Sequence, residues 1–530
     1  MQRRETNFRS VAGTSRHRTI DIESALLDSD NSDSDLDDLV DGADAGWTGG
    51  ESDSEDPDDS EHSGDDPDEQ DLPGDDDGAP QRKRRTLQKN RLVNSLDASL
   101  NIENYNEYKF PDEKKEYTAV LVKKAGNIPE KKITWQNFKR NRVGRQGKEN
   151  VMNIPSGPQG IAQDAQTPLQ SFLIFVSDDM IEHMTYHTNK NITNYINGMS
   201  AELRAKVVGG NKYTWIKLTD TTEIKAYIGL CYLRGIFQQN NWSYRRIFSD
   251  MIGHPVFLST MCANRFSFLN SHYSLDDPET RSDRWKQDRF AAAREVFEEF
   301  NNNCAMALQA DDFMAIDECL YPCRNQVAHK IIFFSFSYFF NNLFLQVAMK
   351  QYNPNKPAKY GLLFKELNSV RVPFTHRSEV YAGKPEEPGP YYIKGVEEIT
   401  LRLVDKYSDF CEIQGRNITT DNLYTSISLG QELLDRGVTL LGTLRKNRKG
   451  IPKEIKDTTG REENSSVIWW EKERGKFTLI SYVVHTKSSG VKNVLGMSTM
   501  PPLLGTTIDD GKEKPAPLKL YDHSKGRDLF

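Results

Sequence analysis

Two short apolar runs, each ending in an aspartate, constrain the fold of this chain more than any other feature. The first run is Phe313-Met-Ala-Ile-Asp317 and the second is Asn417-Ile-Thr-Thr-Asp421. A further polar residue follows each aspartate, Glu318 in the first case and Asn422 in the second. A buried strand that carries a carboxylate to the edge of a sheet has this pattern. Two such carboxylates can share divalent cations, so the pair predicts a metal site.

Strand-like and helix-like runs alternate from residue 311 onward. β-Branched and aromatic residues predict strands at 313–321, 360–367, 379–381, 417–420, 438–444, 467–470, 477–484 and 491–498. Helical spacing of apolar residues predicts helices at 395–407 and 428–436. Strands that alternate with helices indicate a mixed α/β sheet, so residues 311–530 are expected to form an α/β domain.

The residues before this domain have a helical rather than an alternating pattern. Apolar residues at helical spacing predict an all-α region at 168–310, with helices at 180–195, 222–234, from about 259, and 289–308. Basic and aromatic residues interleave at 242–248, which suits either DNA backbone contact or helix packing. Residues 106–167 are polar and basic and end in a region rich in Gly and Pro, so they are predicted to be a linker.

Charge is distributed very unevenly along the chain. Residues 21–80 contain 25 Asp or Glu and no Lys or Arg, whereas residues 1–20 carry a net charge of +4. Since the whole chain carries −8, residues 81–530 carry +13. So charged a segment cannot offset the entropy of ordering, and residues 1–105 are predicted to be a disordered tail. The basic body favours a polyanion such as DNA, and the acidic tail either solvates the chain or binds chromatin proteins.

Basic clusters and cysteine spacing indicate the cellular compartment of the protein. The cluster Gln81-Arg-Lys-Arg-Arg85 is a nuclear localisation signal, a DNA-contacting arm or a solvated charge run, and a nuclear protein is expected. No apolar core follows Arg3 and Arg4, so no signal peptide is expected. The six cysteines include no Cys-x-x-Cys pair, which indicates reduced thiols rather than disulfides or a zinc site.

Four separated motifs resemble the piggyBac transposase family. They are AIDECLYPCR at 315–324, NPNKPAKYG at 353–361, TTDNLYTSISL at 419–429 and LLGTLRKNRKGIP at 440–452. Their order and separations also fit that family, and the resemblance covers residues 168 to about 527. The helical region at 168–310 then resembles the family's dimerisation and DNA-binding region.

The resemblance implies an RNase H-like catalytic core in which three aspartates hold Mg²⁺ or Mn²⁺. It also implies DNA cleavage and strand transfer at TTAA sites, double-stranded DNA as a partner, a homodimer and no membrane contact. By position, Asp317 and Asp421 inherit the catalytic and metal-ligand roles, because hard cations take oxygen ligands. Four basic residues of the motifs either contact DNA phosphates or pair with surface acids: Arg324, Lys356, Lys359 and Arg445.

An apolar segment at 329–348 interrupts the family pattern. The repeat Gln-Val-Ala at 326–328 and 346–348 bounds it, and removing these 20 residues joins CRNQVA to MKQYNPNKPAKYG. Its Phe-rich composition indicates a retained intron or a gene-model error. The rival interpretation is a membrane span, which the pair Asn341-Asn342 disfavours. If translated, the segment is expected to expose apolar surface near Asp317.

The third carboxylate of the family pattern has no clear counterpart. Tyr521-Asp-His-Ser-Lys-Gly526 approaches the expected motif, and Asp528 falls one residue short of the expected position. Asp528 is therefore the third candidate catalytic and metal-binding residue, although a terminal residue is poorly fixed. The expected function is a transposase-derived DNA-binding protein with impaired cleavage and strand transfer. The alternative is a domesticated, non-catalytic DNA- or chromatin-binding protein.

Overall fold

The computed structural model describes most of the chain from residue 106 onward. The described ranges are 106–122, 130–138, 154–209, 213–322, 349–353, 356, 359–486, 490–501, 505–509 and 512–525. The predicted tail at 1–105 and the apolar segment at 329–348 lie outside them, as do Arg324 and Asp528.

Strands and helices alternate in the described part of the chain. The strands are β1 (Asn106–Glu107), β2 (Glu116–Val122), β3 (Lys131–Gln136), β4 (Gly157–Pro158), β5 (Leu308–Gln309), β6 (Phe313–Pro322), β7 (Lys350–Tyr352), β8 (Tyr360–Ser369), β9 (Thr375–Val380), β10 (Asn417–Thr420), β11 (Thr439–Leu444), β12 (Ser466–Glu471), β13 (Thr478–Thr486), β14 (Gly490–Ser498), β15 (Gly505–Asp509) and β16 (Lys512–Pro515). The α-helices are α1 (Pro168–Phe175), α2 (Asp178–Gly198), α3 (Ala201–Gly209), α4 (Thr221–Ile236), α5 (Tyr244–Ile247), α6 (Pro255–Thr260), α7 (Ala263–His272), α8 (Arg281–Gln287), α9 (Ala291–Ala307), α10 (Val396–Ser408), α11 (Ile427–Asp435), α12 (Lys453–Lys456) and α13 (Ala516–Ser524).

One large mixed sheet dominates the described residues. Its strands follow the order β2-β3-β12-β13-β14-β11-β10-β6-β8-β7, and β9 pairs with β8. The short strand β10 runs parallel to both of its neighbours, β6 and β11. The strands that flank this trio, β8 and β14, run antiparallel to it. The mixed α/β prediction is therefore confirmed.

The two faces of the central strands pack against different helices. Alternate residues of a strand point to opposite faces. Met314, Ile316 and Ile418 belong to the main core, which also contains Leu403 of α10 and Leu429 of α11. A second cluster covers the opposite face and joins Phe313 of β6, Leu441 of β11 and Leu520 of α13 with Met500, which follows β14. Both faces of the central strands are thus buried, as their apolar sequences require.

The predicted elements of the sheet domain agree with the structure to within a few residues at most positions. The strand predicted at 417–420 is β10 with the same bounds, and the helix predicted at 395–407 is α10. The strand predicted at 379–381 is displaced, because β9 covers Thr375–Val380. In the helical region, the helix expected from about 259 is two helices, α6 and α7, separated at Met261 and Cys262.

The predicted linker at 106–167 is wrong in its central part. β2 and β3 pair with each other, and β3 joins the large sheet through β12. Ile133 and Trp135 are buried, and the Trp135 indole N–H donates to the carbonyl of Gly450 at 2.8 Å. The sequence conceals this strand because charged residues precede its buried, alternating positions.

Two compact units divide the described residues. The smaller comprises residues 192–209, 213–218 and 239–265, and the larger comprises the remaining described residues. In the smaller unit, Arg265 is buried and donates to the carbonyls of Trp215 and Lys217 at 2.7 and 2.8 Å. The Arg246 guanidinium stacks on Trp242 at 3.8 Å. No helix of the described residues is both long and apolar enough to cross a membrane.

Candidate active site at the ends of two parallel strands

The pairing of β6 with β10 brings Asp317 and Asp421 together. The parallel register joins Ile316 to Thr420 as its last pair, and each aspartate comes one residue later. Neighbouring strands lie about 4.8 Å apart, so the two aspartates are adjacent across the strand pair. Both are half-buried. The alternation of side chains places them on the face that α13 covers, opposite to Ile316 and the main core.

Asp317 is fixed by the antiparallel pairing of β6 with β8. β6 continues beyond it to Pro322, and β8 pairs with β6 from Met314 through Pro322. This register puts the buried Glu366 directly opposite Asp317. The Tyr321 hydroxyl donates to Glu366 Oε1 at 3.0 Å. Burial raises the pKa of the Glu366 carboxyl, and the charge of Asp317 raises it further.

Asp421 is fixed by a turn. Its Oδ1 accepts a hydrogen bond from the backbone N–H of Leu423 at 2.8 Å, and its carbonyl accepts one from the Thr425 hydroxyl at 2.7 Å. This is the turn that an aspartate side chain stabilises by bonding to the backbone two residues on. On the neighbouring strand, a Cβ at Gly442 would overlap Thr425 Oγ1 and lie 2.7 Å from the Thr420 carbonyl oxygen. Only glycine therefore leaves room for the turn.

A second set of polar side chains lies beside the aspartates. Burial raises the pKa of the Glu318 carboxyl, and the charges of Asp421 and Asp317 raise it further, whereas Lys365 opposes the shift. Lys365 is the cross-strand partner of Glu318 on β8. Burial lowers the pKa of the Lys365 ammonium, although Glu318 moderates that shift. Tyr424 is fully buried, and burial followed by these carboxylates raises the pKa of its hydroxyl.

Helix α13 closes the aspartate face. Its Ser524 hydroxyl accepts a hydrogen bond from Thr419 on β10 at 2.8 Å, which ties the helix to the strand that leads to Asp421. Burial raises the pKa of the Tyr521 hydroxyl, and the charges of Asp421 and Asp317 also raise it. Tyr521 therefore lies close enough to both aspartates to sense their charge.

The predicted basic residues occupy different positions relative to the aspartates. Arg445 is exposed and donates to Asn422 Oδ1 at 3.0 Å, one residue after Asp421. Lys356 donates to the carbonyl of Glu318 at 2.9 Å, one residue after Asp317. Lys359 is exposed and directly precedes β8.

Sequence reasoning assigned no role to several residues at this site. The Arg448 guanidinium donates to the carbonyl of Leu423, so a second arginine of the loop after β11 reaches the Asp421 turn. Arg448, Tyr424 and Thr425 lie within the motifs that carried the resemblance, which could have drawn attention to them. Lys365 had a weaker signal, a charged pair inside the otherwise apolar run Gly-Leu-Leu-Phe-Lys-Glu-Leu at 361–367.

A family model described as Transposase IS4, of the DDE type, matches residues 167–334 and 342–526. The chain belongs to this transposase family. The unmatched residues between the two blocks, 335–341, lie within the apolar segment at 329–348.

A solved structure has the same fold as this chain. It is a cryo-EM structure of a piggyBac transposase synaptic complex with hairpin DNA. The sequence identity is 23%, the match covers 70% of this chain and 68% of that chain, and the TM-score is 0.56. The resemblance to piggyBac transposases that the four motifs predicted is confirmed.

Members of DDE transposase families use a divalent metal, and the aspartate pair offers two ligands for one. Asp317 and Asp421 supply carboxylate oxygens at adjacent positions, which are the ligands that Mg²⁺ and Mn²⁺ prefer. The accumulated negative charge that raises the pKa of Glu318 is also what a cation would relieve. The described residues contain no group of three His, Cys, Asp or Glu side chains with metal-binding geometry. The described part of the site therefore fits two ligands of a metal centre.

Proposed function

We propose that this chain is a piggyBac-type transposase-derived protein that binds double-stranded DNA and cleaves it in a metal-dependent reaction. One observation carries the proposal: the β6–β10 register brings Asp317 and Asp421 side by side in a chain of a DDE transposase family. The strand order and the parallel trio β6, β10 and β11 support an RNase H-like core. Strand transfer at TTAA sites is part of the same proposal and follows from the resemblance.

In this proposal, the aspartates position the metal ion. Asp317 and Asp421 would hold Mg²⁺ or Mn²⁺ between them at the sheet edge, and Asp528 is proposed as the third ligand. A divalent cation bound there would lower the pKa of a coordinated water and stabilise charge on phosphate oxygens. Tyr521 and the buried floor of the site would limit access of bulk water to the aspartates.

The loop after β11 would hold the DNA backbone. Residues 445–449 read Arg-Lys-Asn-Arg-Lys and contain four cations. Arg445 and Arg448 are already bonded to the turn that follows Asp421, so a phosphate that contacts this loop would lie near the aspartates. Lys356, whose ammonium lies beside Glu318, extends the same basic rim on the β6 side, and Lys359 and Arg324 are further candidates. Such contacts provide position and affinity without sequence specificity.

Nuclear localisation, homodimer formation and a chromatin partner for the acidic tail complete the proposal. The basic cluster at 81–85 supports nuclear localisation, and the resemblance supports homodimer formation.

The chromatin role of the tail is tested by nucleosome pull-down with the full chain and with a chain that lacks residues 1–105. A chromatin role predicts that only the full chain retains core histones.

Cleavage is tested by nicking of a supercoiled plasmid that contains TTAA sites, in Mg²⁺, Mn²⁺ or EDTA. The full chain is compared with a variant that lacks residues 329–348. In this variant seven residues, 323–328 and Met349, connect β6 to β7. Both strands flank β8 at Gly361, so their ends are about 10 Å apart, whereas seven extended residues span about 23 Å. The deletion therefore leaves both strands free to keep their positions.

The deletion variant is expected to nick DNA in Mg²⁺ and not in EDTA. The full chain is expected to nick at least about ten-fold more slowly, because the extra residues 329–348 follow the strand that carries Asp317 and catalytic geometry tolerates little displacement.

The second candidate function is DNA binding without cleavage. The basic loop beside the Asp421 turn favours it, since cations bind DNA without a metal. Salt-sensitive DNA binding with no nicking by either form would establish that alternative and overturn the cleavage proposal.

A further inference from the structure

Glu366 on β8 is a buried carboxylate that the proposed function does not use. Its side chain is 3% exposed, and it forms no ion pair with the described residues. Removing an unpaired charge from water is costly, so a carboxylate this deep is normally paired with a cation, bound to a metal ion or protonated. Since no described side chain supplies the cation, Glu366 either holds a proton or faces a bound metal ion.

The register of β6 against β8 places Glu366 beside Asp317. The two residues are directly opposite each other in the antiparallel pair, so their side chains point to the same face of the sheet. Such pairs have Cβ atoms about 5 Å apart. Burial raises the pKa of the Glu366 carboxyl and the charge of Asp317 raises it further, which agrees with two neighbouring carboxyl groups. Glu366 therefore belongs to the aspartate face, opposite to Glu318 and Lys365.

Two neutral side chains orient the Glu366 carboxyl. The Tyr321 hydroxyl donates to Oε1 at 3.0 Å. Although burial has the largest effect on the pKa of Glu366 and raises it, hydrogen bonds from Tyr321 and Asn368 lower it. Both donors lie on the same face as Asp317, at even spacing along β6 and β8. Donors of this kind favour the ionised form of a carboxyl, so the group is held in place without a cationic side chain.

The sheet order sets the position of Glu366 relative to a cation between the aspartates. Asp421 follows β10 and Glu366 lies on β8, and these two strands flank β6 on opposite sides. Glu366 is therefore about 4.8 Å, one strand spacing, farther from such a cation than Asp317 is. In agreement with this position, the described residues contain no third side chain in direct-ligand geometry. Mg²⁺ usually keeps several of its water ligands, and a carboxylate at this position can reach one of them.

We propose that Glu366 is an outer-sphere ligand of the cation at Asp317 and Asp421, with its carboxylate accepting a hydrogen bond from a coordinated water. The inference rests on the proposed function, because it requires a cation at the aspartate pair. Outer-shell partners orient the ligands that they contact and raise the affinity for the metal. Tyr321 is a positioning residue, since it holds the carboxylate in place. The role differs from that of Asp528, which is proposed as a direct ligand.

The test is titration of the full chain with Mn²⁺, with the free ion measured by electron paramagnetic resonance. Glu366→Gln removes the charge at nearly constant shape, and Tyr321→Phe keeps the carboxylate but removes the bond that orients it. Glu379→Gln is the matched control, because Glu379 is 4% exposed and lies opposite Lys365 on the other face of the sheet. Asp317→Asn defines the background from other acidic residues, including those of the tail.

Loss of the outer-sphere contact should weaken Mn²⁺ binding about ten-fold in Glu366→Gln and about two- to five-fold in Tyr321→Phe, and Glu379→Gln should change it less than about two-fold. Thermal melting without Mn²⁺ checks that each variant is folded. Tyr321→Phe keeps the test valid if Glu366→Gln is unfolded. Water-proton relaxation counts the waters on the bound Mn²⁺, and wild type and Glu366→Gln should have the same number.

Three results would overturn the role of Glu366 alone. Unchanged affinity in Glu366→Gln, with binding lost in Asp317→Asn, would show that Glu366 is neutral and makes no contact. An equal loss in Glu379→Gln would show a general effect of charge. One additional water on Mn²⁺ in Glu366→Gln would show a direct ligand. Equal Mn²⁺ binding by wild type and Asp317→Asn would instead overturn the proposed metal centre itself, so the two failures are distinguishable.

Discussion

Asp317 and Asp421 reach the same edge of the sheet by different means. Asp317 lies inside a ten-residue strand that is paired on both sides, whereas Asp421 lies one residue beyond a strand of four residues. Sheet register fixes the first aspartate, and the hydrogen bonds of Leu423 and Thr425 fix the second. The two halves of one site should therefore respond differently to the same kind of substitution.

Glycine-to-alanine substitutions give the largest expected difference between the two sides. At Gly442 the new Cβ would overlap Thr425 Oγ1 and displace the Asp421 turn, whereas at Gly361 it would overlap the Tyr321 carbonyl oxygen. Each should cost about 1–3 kcal/mol of stability through overpacking. Gly442→Ala should also reduce plasmid nicking about 100-fold, since a misplacement of about 1 Å has that effect.

Gly361→Ala should reduce nicking much less. Nine residue pairs hold β6 against β8, and Gly361 belongs to the last pair, so the pairs around Asp317 can stay in place. Gly229→Ala, whose new Cβ meets open space on helix α4, is the control for folding. Equal losses of nicking in the Gly442→Ala and Gly361→Ala proteins would show that the turn has no special role.

Acid should weaken the sheet that carries Asp317. His376 on β9 is fully buried and its Nε2 lies 2.8 Å from the Ser369 hydroxyl on β8. Burial, reinforced by the charge of Arg416, lowers the pKa of His376 to about 3. Below about pH 6.5, His376 is protonated in the unfolded chain but stays neutral in the native protein. The free energy of unfolding therefore falls as the pH falls toward 3.

The expected slope from this group is up to about 1.4 kcal/mol per pH unit. Urea unfolding of wild type and His376→Gln at pH 6.5 and pH 4.5 measures it. The variant should lose less stability than wild type over this interval. Identical losses in the two proteins would show that His376 does not contribute.

Thr425→Val tests the hydrogen bonds of the turn with little change in shape. The Thr425 hydroxyl donates to the Asp421 carbonyl, and its loss should cost about 1–2 kcal/mol. Thr400→Val is the matched control, because it removes a comparable hydroxyl bond, to the Val396 carbonyl, inside helix α10. Both should lower the melting temperature, but only Thr425→Val should slow nicking. If Thr400→Val slows it equally, the effect is one of stability alone.

Arg445→Gln should have the smallest effect. Arg445 is exposed, so its loss should weaken DNA binding only about two- to five-fold at moderate salt and reduce the salt-dependence slope by about one unit. Lys394→Gln removes one charge from an exposed lysine before α10 and serves as the control. Fluorescence anisotropy with a labelled duplex at several salt concentrations measures both. A salt slope that changes equally in both variants would mean that Arg445 is not a specific phosphate contact.

The sequence was sufficient to predict the aspartate pair and most of the sheet. Apolar runs with an aspartate at the end identify β6 and β10, and their bounds agree with the structure closely. The interactions of Lys365 with Glu318 were not predictable, because they depend on the register of β6 against β8. β3 was missed for a different reason: its two buried apolar residues, Ile133 and Trp135, lie among polar neighbours. Register and sparse burial are properties of the assembled sheet, which local patterns do not encode.

The most direct test of the account is Mg²⁺-dependent plasmid nicking by the form that lacks residues 329–348, with Asp317→Asn, Asp421→Asn and the double variant. If the two aspartates hold one metal centre, several kcal/mol of transition-state stabilisation depend on both, and each single variant should lose about 1000-fold. The double variant should be no slower than either single one, because residues that act as a unit are not additive. Nicking that survives either substitution, or losses that multiply in the double variant, would contradict a shared site.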